Sequence, residues 1–296
     1  MSTEHTTNIL GIDENGLGPL MGPLVVTGVL LKQISEKHWL DDISDSKQFF
    51  SRTAEKFSKL ETVAASLFYL KEGREPTSPA EILYNFCKDS ICLSGINICT
   101  GNIPKKFYWS SRPQRKSKQA HFCEWFSAYN IKIKAINSVS LCPRRINDFT
   151  SKDNNKFLLD LCAFCDIVKE TSDKNNLFIY AGRVGGMKFY TKRLKYLLPE
   201  YRCKTLEENK DRSLYRMSSP REEFTFGFFT DVEKISFSAA LASLVGKYIR
   251  ELYMEGIRRT LDISTNISGY HDSKTTSYIS NNDFGRFPSS CLFRRR

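Results

Sequence analysis

Asp13 and Glu14 are adjacent carboxylates at the end of a short apolar run, Asn8–Ile12, and they open into ENGLGPLMGP, dense in Gly and Pro. Neighbouring acids repel, so placing them together at a strand end is unfavourable unless something offsets their charge. A hard divalent cation does so, because Mg²⁺ prefers carboxylate and water oxygens. Glycines beside the acids let a polyanion approach the backbone closely. An acidic pair before Gly is also a common turn sequence. In Asp45-Ser46-Lys47, the Ser46 hydroxyl and the Lys47 ammonium are both phosphate-contacting groups. Further on, SAALASLVGKYIRELYM places Ser243, Lys247 and Glu251 at i, i+4 and i+8 on one helix face. A carboxylate on such a helix can point at the acidic strand end. The plainer alternative is an exposed Lys247–Glu251 pair worth roughly 0.2–0.5 kcal/mol. Last comes Gly269-Tyr270-His271-Asp272. Tyr270 can stack on a sugar or base and Asp272 can join a metal site, or both can sit in a surface turn.

The elements that must position these groups follow from periodicity and punctuation. Asn8–Ile12 and Leu24–Leu31 read as an antiparallel strand pair with the acids at its turn. A helix is expected from about Arg52 to Leu67, with Ser51 as its cap. Residues 80–94 and 154–170 also read as helices. Residues 100–121 carry Lys105, Lys106, Arg112, Arg115, Lys116 and Lys118 among few apolar residues, and read as an exposed basic loop or hairpin. Ile131–Val139 alternates as a half-buried strand does. Leu177–Tyr180 is a compact strand followed by AGRVGG; residues 188–198 read as a basic helix and Phe224–Thr230 as a strand. In the 236–261 helix, Leu241, Leu244, Val245, Tyr248 and Leu252 form the core-facing stripe, and Ala239, Ala240 and Ala242 permit close approach to a sheet. The chain ends in SSCLFRRR, a basic tail.

Composition bounds the reading. The chain has 296 residues, 41% of them hydrophobic and 26% charged, which excludes a disordered or collagen-like protein. Pro23–Leu31 is too short to span a bilayer, and no basic region precedes it as in a signal peptide, so a cytoplasmic protein is expected. A net charge of +11 favours a polyanionic partner, nucleic acid first. Nine cysteines at irregular spacing, including the Cys162–Cys165 pair in a helical run, read as free thiols rather than a zinc site.

Taken together, the four motifs resemble ribonuclease HII. GIDENGLGPLMGPLVV is similar to the family's Asp-Glu-x-Gly-x-Gly-Pro-Leu-x-Gly-Pro signature, DSK at 45–47 follows at the usual distance, ALASLVGKYIRELYM resembles the Ala-Ser-Ile-x-Ala-Lys-x-x-Arg-Asp helix, and Gly269-Tyr270 falls where the family keeps Gly-Tyr. The matching segments cover about a third of the chain, and residues 70–150 match no motif. The resemblance implies an α/β, ribonuclease H-like fold: a mixed five-stranded sheet flanked by helices, with a C-terminal helical part. It implies a catalytic domain over residues 1–262, with the partly basic 70–150 segment inside it, and an extension over 263–296 ending in the basic tail. The implied activity is endonucleolytic cleavage of RNA in RNA–DNA hybrids or at embedded ribonucleotides. The implied cofactor is Mg²⁺ or Mn²⁺ held by four carboxylates, and the implied partner is a hybrid duplex, with no membrane.

Carried over residue by residue, Asp13, Glu14 and Glu251 become catalytic acids and metal ligands, with Asp272 as a further ligand. Gly16, Gly18, Ser46, Lys47, Arg183, Lys247 and Tyr270 become substrate contacts. Two departures stand out. The family's third acid stands at the end of a central strand, where this chain has Ala181; Asp272, Asp231 and Asp211 are the candidate substitutes. Leu17 replaces the Arg of the family's Gly-Arg-Gly, which reads the RNA–DNA junction. The alternative implied by Ala181 is a nucleic-acid-binding protein on the same fold with weak or no catalysis.

Overall fold

The computed structural model describes residues 7–33, 56–87, 102–108, 110–152, 155–264, 267–281, 284 and 287–295. Ser46, Lys47, Cys92 and Cys99 lie outside the described residues.

Strand β1, Thr7–Asn15, pairs antiparallel with β2, Leu24–Gln33, and parallel with β4, Leu177–Gly182. β2 pairs antiparallel with β3, Ile131–Leu141. β4 pairs parallel with β7, Glu223–Phe229, and an antiparallel meander of β7, β6 (Arg212–Ser218) and β5 (Arg202–Glu208) completes the sheet. The order is β3-β2-β1-β4-β7-β6-β5. The sheet is therefore mixed and flanked by helices as the sequence implied, but it has seven strands rather than five. The hairpin β5–β6 escaped sequence reading because β5 is mostly exposed and polar, so only partial alternation marks it.

Alternation divides the apolar residues between two faces. Val25, Val29, Leu31, Ile131 and Ile136 meet one layer of helices: α1 (Lys56–Glu72), α2 (Pro79–Phe86), α3 (Arg112–Ala128) and α7 (Phe237–Thr260). Leu10, Ile12, Leu24, Val26, Leu177 and Ile179 meet the other: α4 (Pro143–Thr150), α5 (Lys156–Glu170) and α6 (Thr191–Leu197). The 70–150 segment supplies α2, α3, β3 and α4 to this frame. Residues 112–128 are a helix rather than the expected loop or hairpin. Ser111 and Gln114 cap it reciprocally, Pro113 fits its first turn, and it buries only Gln119, Phe122 and Phe126, which leaves little apolar period to read.

α7 is the helix packed most closely on β1. The Ser238 hydroxyl accepts from Gly11 N at 2.9 Å and donates to the Val29 carbonyl at 2.5 Å, locking the helix across β1 and β2. The approach needs Gly11: a Cβ there would lie 2.0 Å from Ala239 N and 2.2 Å from the Ser238 carbonyl carbon. Backbone, not a flexible side chain, blocks that space, so Gly11→Ala is expected to destabilise the fold by at least about 3 kcal/mol. Urea unfolding of the variant measures this, and a midpoint unchanged from the parent would refute the packing described.

Candidate active site

The three parallel strands β1, β4 and β7 end at the same edge of the sheet, where ligands of open α/β sheets commonly bind. Asp13 and Glu14 stand at the end of β1. Asp13 shares the phase of Gly11 and turns to α7, where the Ser243 hydroxyl hydrogen-bonds its carboxylate and the exposed Lys247 adds an attractive charge. Glu14 shares the phase of Leu10 and Ile12, on the α5 side. On α5, Asp160 occupies the stripe facing the sheet, with Leu161, Phe164 and Ile167, and is fully buried. From the chain between β7 and α7, a single 3-10 turn, Val232–Lys234, brings Glu233.

These four acids act on one another. Burial raises the Asp13 pKa to about 6, and Glu233 adds to the rise against the pull of Ser243 and Lys247. Burial raises Glu14 well above the usual carboxylate range, helped by the charges of Asp160, then Asp13, then Glu233. Burial and the Asp13 charge raise Asp160 to about 8. Among the described residues no hydrogen-bond partner reaches either Asp160 carboxylate oxygen.

Gly182 closes β4 beside the pair. A Cβ there would lie 3.0 Å from Asp13 Oδ1 and 3.2 Å from Glu14 Oε2, so its absence leaves a cradle against both carboxylates. The cradle leaves Asp13 and Glu14 as the acid pair open at the strand end, the oxygen type a hard divalent cation prefers. Among the described residues, no three His, Cys, Asp or Glu side chains are arranged to hold one ion. The seven cysteines described are free thiols.

Two expected acids are not brought to this group. Glu251 lies two helical turns beyond Ser243, about 12 Å along the axis, and its carboxylate is 3.8 Å from Arg250. Asp272 opens α8 (Ser273–Asn281): it accepts from Thr275 N and Oγ1 and from Ser268 Oγ, and these hydrogen bonds hold its pKa down to about 2. Asp231 pairs with Lys234 at 2.5 Å, and Asp211 is exposed in the β5–β6 turn. The acids that sequence reading missed are Asp160, hidden in a helix that reads as pure core, and Glu233, which no periodic element marks. The buried Asp in LLDLCAFC was the available signal.

The glycine-rich loop after Glu14 is held from three directions. Gly16 has φ +94°, and a Cβ on it would strike Arg250 and the Pro23 carbonyl, whereas Gly18 has nothing within 4 Å of that position. The Gly269 carbonyl accepts from Leu20 N and Met21 N at 2.8 and 3.0 Å, which sets the half-exposed Tyr270 next to the loop with Arg250 over its ring at 4.9 Å. The C-terminal segment is the third hold. It forms a short helix α9, Ser289–Leu292, after which Phe293 bridges Met21. Arg294 then donates to the carbonyls of Gly16 (2.5 Å), Leu17 (3.3 Å) and Gly22 (3.0 and 2.7 Å). Burial, then the neighbouring Arg250 charge, lowers the Arg294 pKa to about 9. Arg183 donates from its guanidinium to the Asn209 carbonyl at 2.7 Å, which anchors it to the β5–β6 turn.

A stretch of 49 residues, 17% of the chain, is 47% identical to a ribonuclease HII of Fusobacterium nucleatum. The chain resembles ribonuclease HII. That match spans 22% of the Fusobacterium protein, and no family model matches. Among solved structures, the PCNA:RNase HII complex from Archaeoglobus fulgidus aligns over 97% of this chain and 94% of that one, at 14% identity and TM-score 0.49. The ribonuclease H2 of Pyrococcus horikoshii OT3 aligns over 96% and 92%, at 15% identity and TM-score 0.48. Bst-RNase HIII in complex with Mn²⁺ aligns over 97% and 66%, at 11% identity and TM-score 0.45.

Two outcomes follow for this ribonuclease HII-like site. The Arg294 fork satisfies carbonyls that no other described donor reaches in the loop, so Arg294→Ala is expected to lose about 2–4 kcal/mol and to speed amide exchange at residues 16–22. Exchange unchanged there would show that the loop holds itself. The second concerns pH. Asp13, Glu14 and Asp160 are neutral in the folded chain at pH values where the unfolded chain ionises them, so the folded state binds more protons from about pH 4 to 8 and stability falls as pH rises through that window. In EDTA, Glu14→Gln is therefore expected to match the parent in Tm near pH 4 and to exceed it increasingly toward pH 8. A constant difference across that range would contradict the shifts.

Proposed function

We propose that the chain is a metal-dependent ribonuclease H that cleaves the RNA strand of RNA–DNA hybrids or cuts at embedded ribonucleotides, with Mg²⁺ or Mn²⁺ as cofactor, in the cytoplasm. The observation that carries this reading is the pair Asp13 and Glu14 at the end of β1 beside the cradle left by Gly182, with the charges of Asp160 and Glu233 acting on Glu14. Carboxylate crowding of this kind is tolerable in a folded protein when cations share the site.

Asp13 and Glu14 would hold the cation, with Asp160 and Glu233 as the acids next to them. A divalent ion bound there supplies Lewis acidity at a phosphodiester. Ser243 fixes the Asp13 rotamer, and Lys247, exposed beside Asp13, meets the phosphate that enters. Gly16 and Gly18 present backbone to the substrate, where a 2′-hydroxyl distinguishes RNA from DNA. Only Gly16 is required by the fold, so the bare backbone at Gly18 is left for ligand approach. Tyr270 offers a half-exposed ring at the loop edge for a sugar or base. Arg183 stays a phosphate contact from β4's end, and the +11 charge supplies the long-range attraction. Ser46 and Lys47 keep their expected phosphate role. With Leu17 in place of the family's Arg, discrimination of the RNA–DNA junction is expected to be weak.

Ala181 favours a second reading, binding without cleavage. One assay separates the two. A hybrid duplex and a DNA duplex with one embedded ribonucleotide are incubated with Mg²⁺, Mn²⁺ or EDTA, beside Glu14→Gln and Gly18→Ala variants. Cutting that EDTA abolishes, lost by at least about 10³-fold in Glu14→Gln and weakened in a Gly18→Ala protein of unchanged Tm, is the expected result. Salt-sensitive binding of both duplexes with no cutting under any metal would replace the nuclease with the binder.

A further inference from the structure

We propose that the basic segment from Lys105 to Lys118 is a second contact surface for nucleic acid, which holds the phosphate backbone of a duplex away from the acids of β1. The proposal rests on the reading of the chain as a ribonuclease H, and it concerns a part of the chain, residues 70–150, that matches no motif of the family.

Between residues 102 and 128 the chain carries Lys105, Lys106, Arg112, Arg115, Lys116 and Lys118 against a single acid, Glu124. Folding engages one of the six cations. The Arg115 guanidinium lies 3.9 Å from the centre of the Phe107 ring and donates to the Ser110 carbonyl at 2.7 Å. Lys105, Lys106, Arg112 and Lys116 are exposed and Lys118 is half-buried, and none of the five has an ion pair or a hydrogen bond among the described residues. A buried acid fixes the turn that carries them. Glu61, on α1 and at 0% exposure, accepts from Ser110 N at 2.8 Å, Ser110 Oγ at 2.7 Å and Tyr108 N at 3.4 Å. Asn102 Nδ2 ties the start of the segment to Thr260 Oγ1 at 3.0 Å. A carboxylate is costly to bury, and this one serves a turn whose outer surface is cationic.

Helix α7 joins this surface to the site. It crosses the end of β1 at Gly246, whose Cβ position lies 2.5 Å from Asn15 Nδ2, one residue after Glu14. From there Lys247, Glu251, Glu255 and Arg259, spaced by four, form one row along the helix. The row ends where the Arg259 guanidinium lies over the Tyr108 ring at 5.8 Å. From Gly246 to Arg259 the helix rises about 20 Å, or roughly six base pairs of duplex. The two acids of the row are matched by arginines: Glu251 is 3.8 Å from Arg250, and Glu255 pairs with Arg258 at 2.6 Å and Arg259 at 2.7 Å. A phosphate backbone that enters over the exposed Lys247 thus meets no unpaired acid in that row before it reaches Tyr108 and the cations beyond it. The surface suits phosphate better than a protein partner. Of the large apolar side chains described from 102 to 128, Tyr108 alone is exposed, whereas protein interfaces bury an apolar core. Phosphates need only the charge.

The test compares two four-site variants of equal charge loss. One is Lys105→Ala, Lys106→Ala, Arg112→Ala and Lys116→Ala. The other, Lys192→Ala, Lys195→Ala, Arg202→Ala and Lys204→Ala, removes exposed cations of α6 and β5. Matched circular dichroism and Tm establish that each is folded; if the first is not, Lys105→Ala with Lys106→Ala, outside any helix, replaces it. Binding of a labelled RNA–DNA hybrid of about two helical turns is followed by anisotropy in EDTA across a salt series, with poly-glutamate as competitor. The first variant is expected to bind at least about tenfold more weakly at low salt, with the slope of log affinity against log salt reduced by about 3, or by about 1.5 for the two-site variant. The second is expected to keep the parental slope. With Mg²⁺, the first variant is expected to raise KM for the hybrid and leave kcat unchanged. A parental slope in the first variant, or equal losses in both, overturns the proposal, and the nuclease reading stands if that variant still cuts as the parent does. Displacement of the hybrid by poly-glutamate at equal charge concentration assigns the surface to an acidic protein and also overturns it. A parent that cuts nothing but whose salt-dependent binding is lost in the first variant keeps the surface and removes the nuclease.

Discussion

Like-charge crowding at the end of β1 is the constraint on which the rest of the site depends. Asp13 and Glu14 cannot avoid one another, because successive residues of a strand are joined by one peptide unit, and alternation only sends them to opposite faces. Each face then meets its own support: Ser243 and Lys247 from α7 on one side, and Asp160 from α5 on the other. The two sides are electrostatically opposite. Burial raises the pKa of both acids; Ser243 and Lys247 on the α7 side offset part of the rise at Asp13, while Asp160 on the α5 side adds to the rise at Glu14.

The surrounding fold serves close approach. Gly11 lets α7 pass within backbone contact of β1, Gly182 leaves the space beside the acids open, and Gly246 allows α7 to lie against Asn15 and Thr27. At Gly11 and Gly246 a methyl group would collide and at Gly182 it would press on both carboxylates, so the glycines trade strand or helix propensity for proximity. The loop that follows Glu14 is long, turns at Gly16 and Gly22 with positive φ, and carries carbonyls that point inward. It is kept in place by segments distant in sequence, Gly269 and Arg294, so the C-terminal residues belong structurally to the N-terminal motif. Their basic character is used inside the protein at Arg294, where a guanidinium serves as a fork for backbone oxygens.

Legibility in the sequence tracked local physics. The β1–β2 pair, α5 and α7 are strongly periodic and were readable within a few residues, as was the acidic pair at the strand end. What was not readable depends on long-range geometry. β5 and β6 form a weakly alternating hairpin that acquires its partners only from β7. α3 is helix by capping and by a narrow buried stripe. Glu251 looked like a site acid because it shares a face with Ser243 and Lys247 by spacing, yet α7 runs away from the strand end, and eight residues of helix carry it about 12 Å along. Glu233 has no periodic context at all, since its position is set by where β7 stops and how one 3-10 turn redirects the chain.

Asp160 shows why burial must be weighed by chemistry. In a one-dimensional pattern it is a single polar interruption of an apolar stripe, the kind of irregularity that helices tolerate when the side chain can reach water. In three dimensions it cannot reach water, and its oxygens face neither a donor nor a counter-charge in direct contact. Core polar groups of that type are rare because each one subtracts from a stability that is itself only a small difference between large terms. The stripe around it is otherwise well packed, with Phe157, Leu161, Phe164 and Ile167 all engaged, so poor packing does not explain the acid.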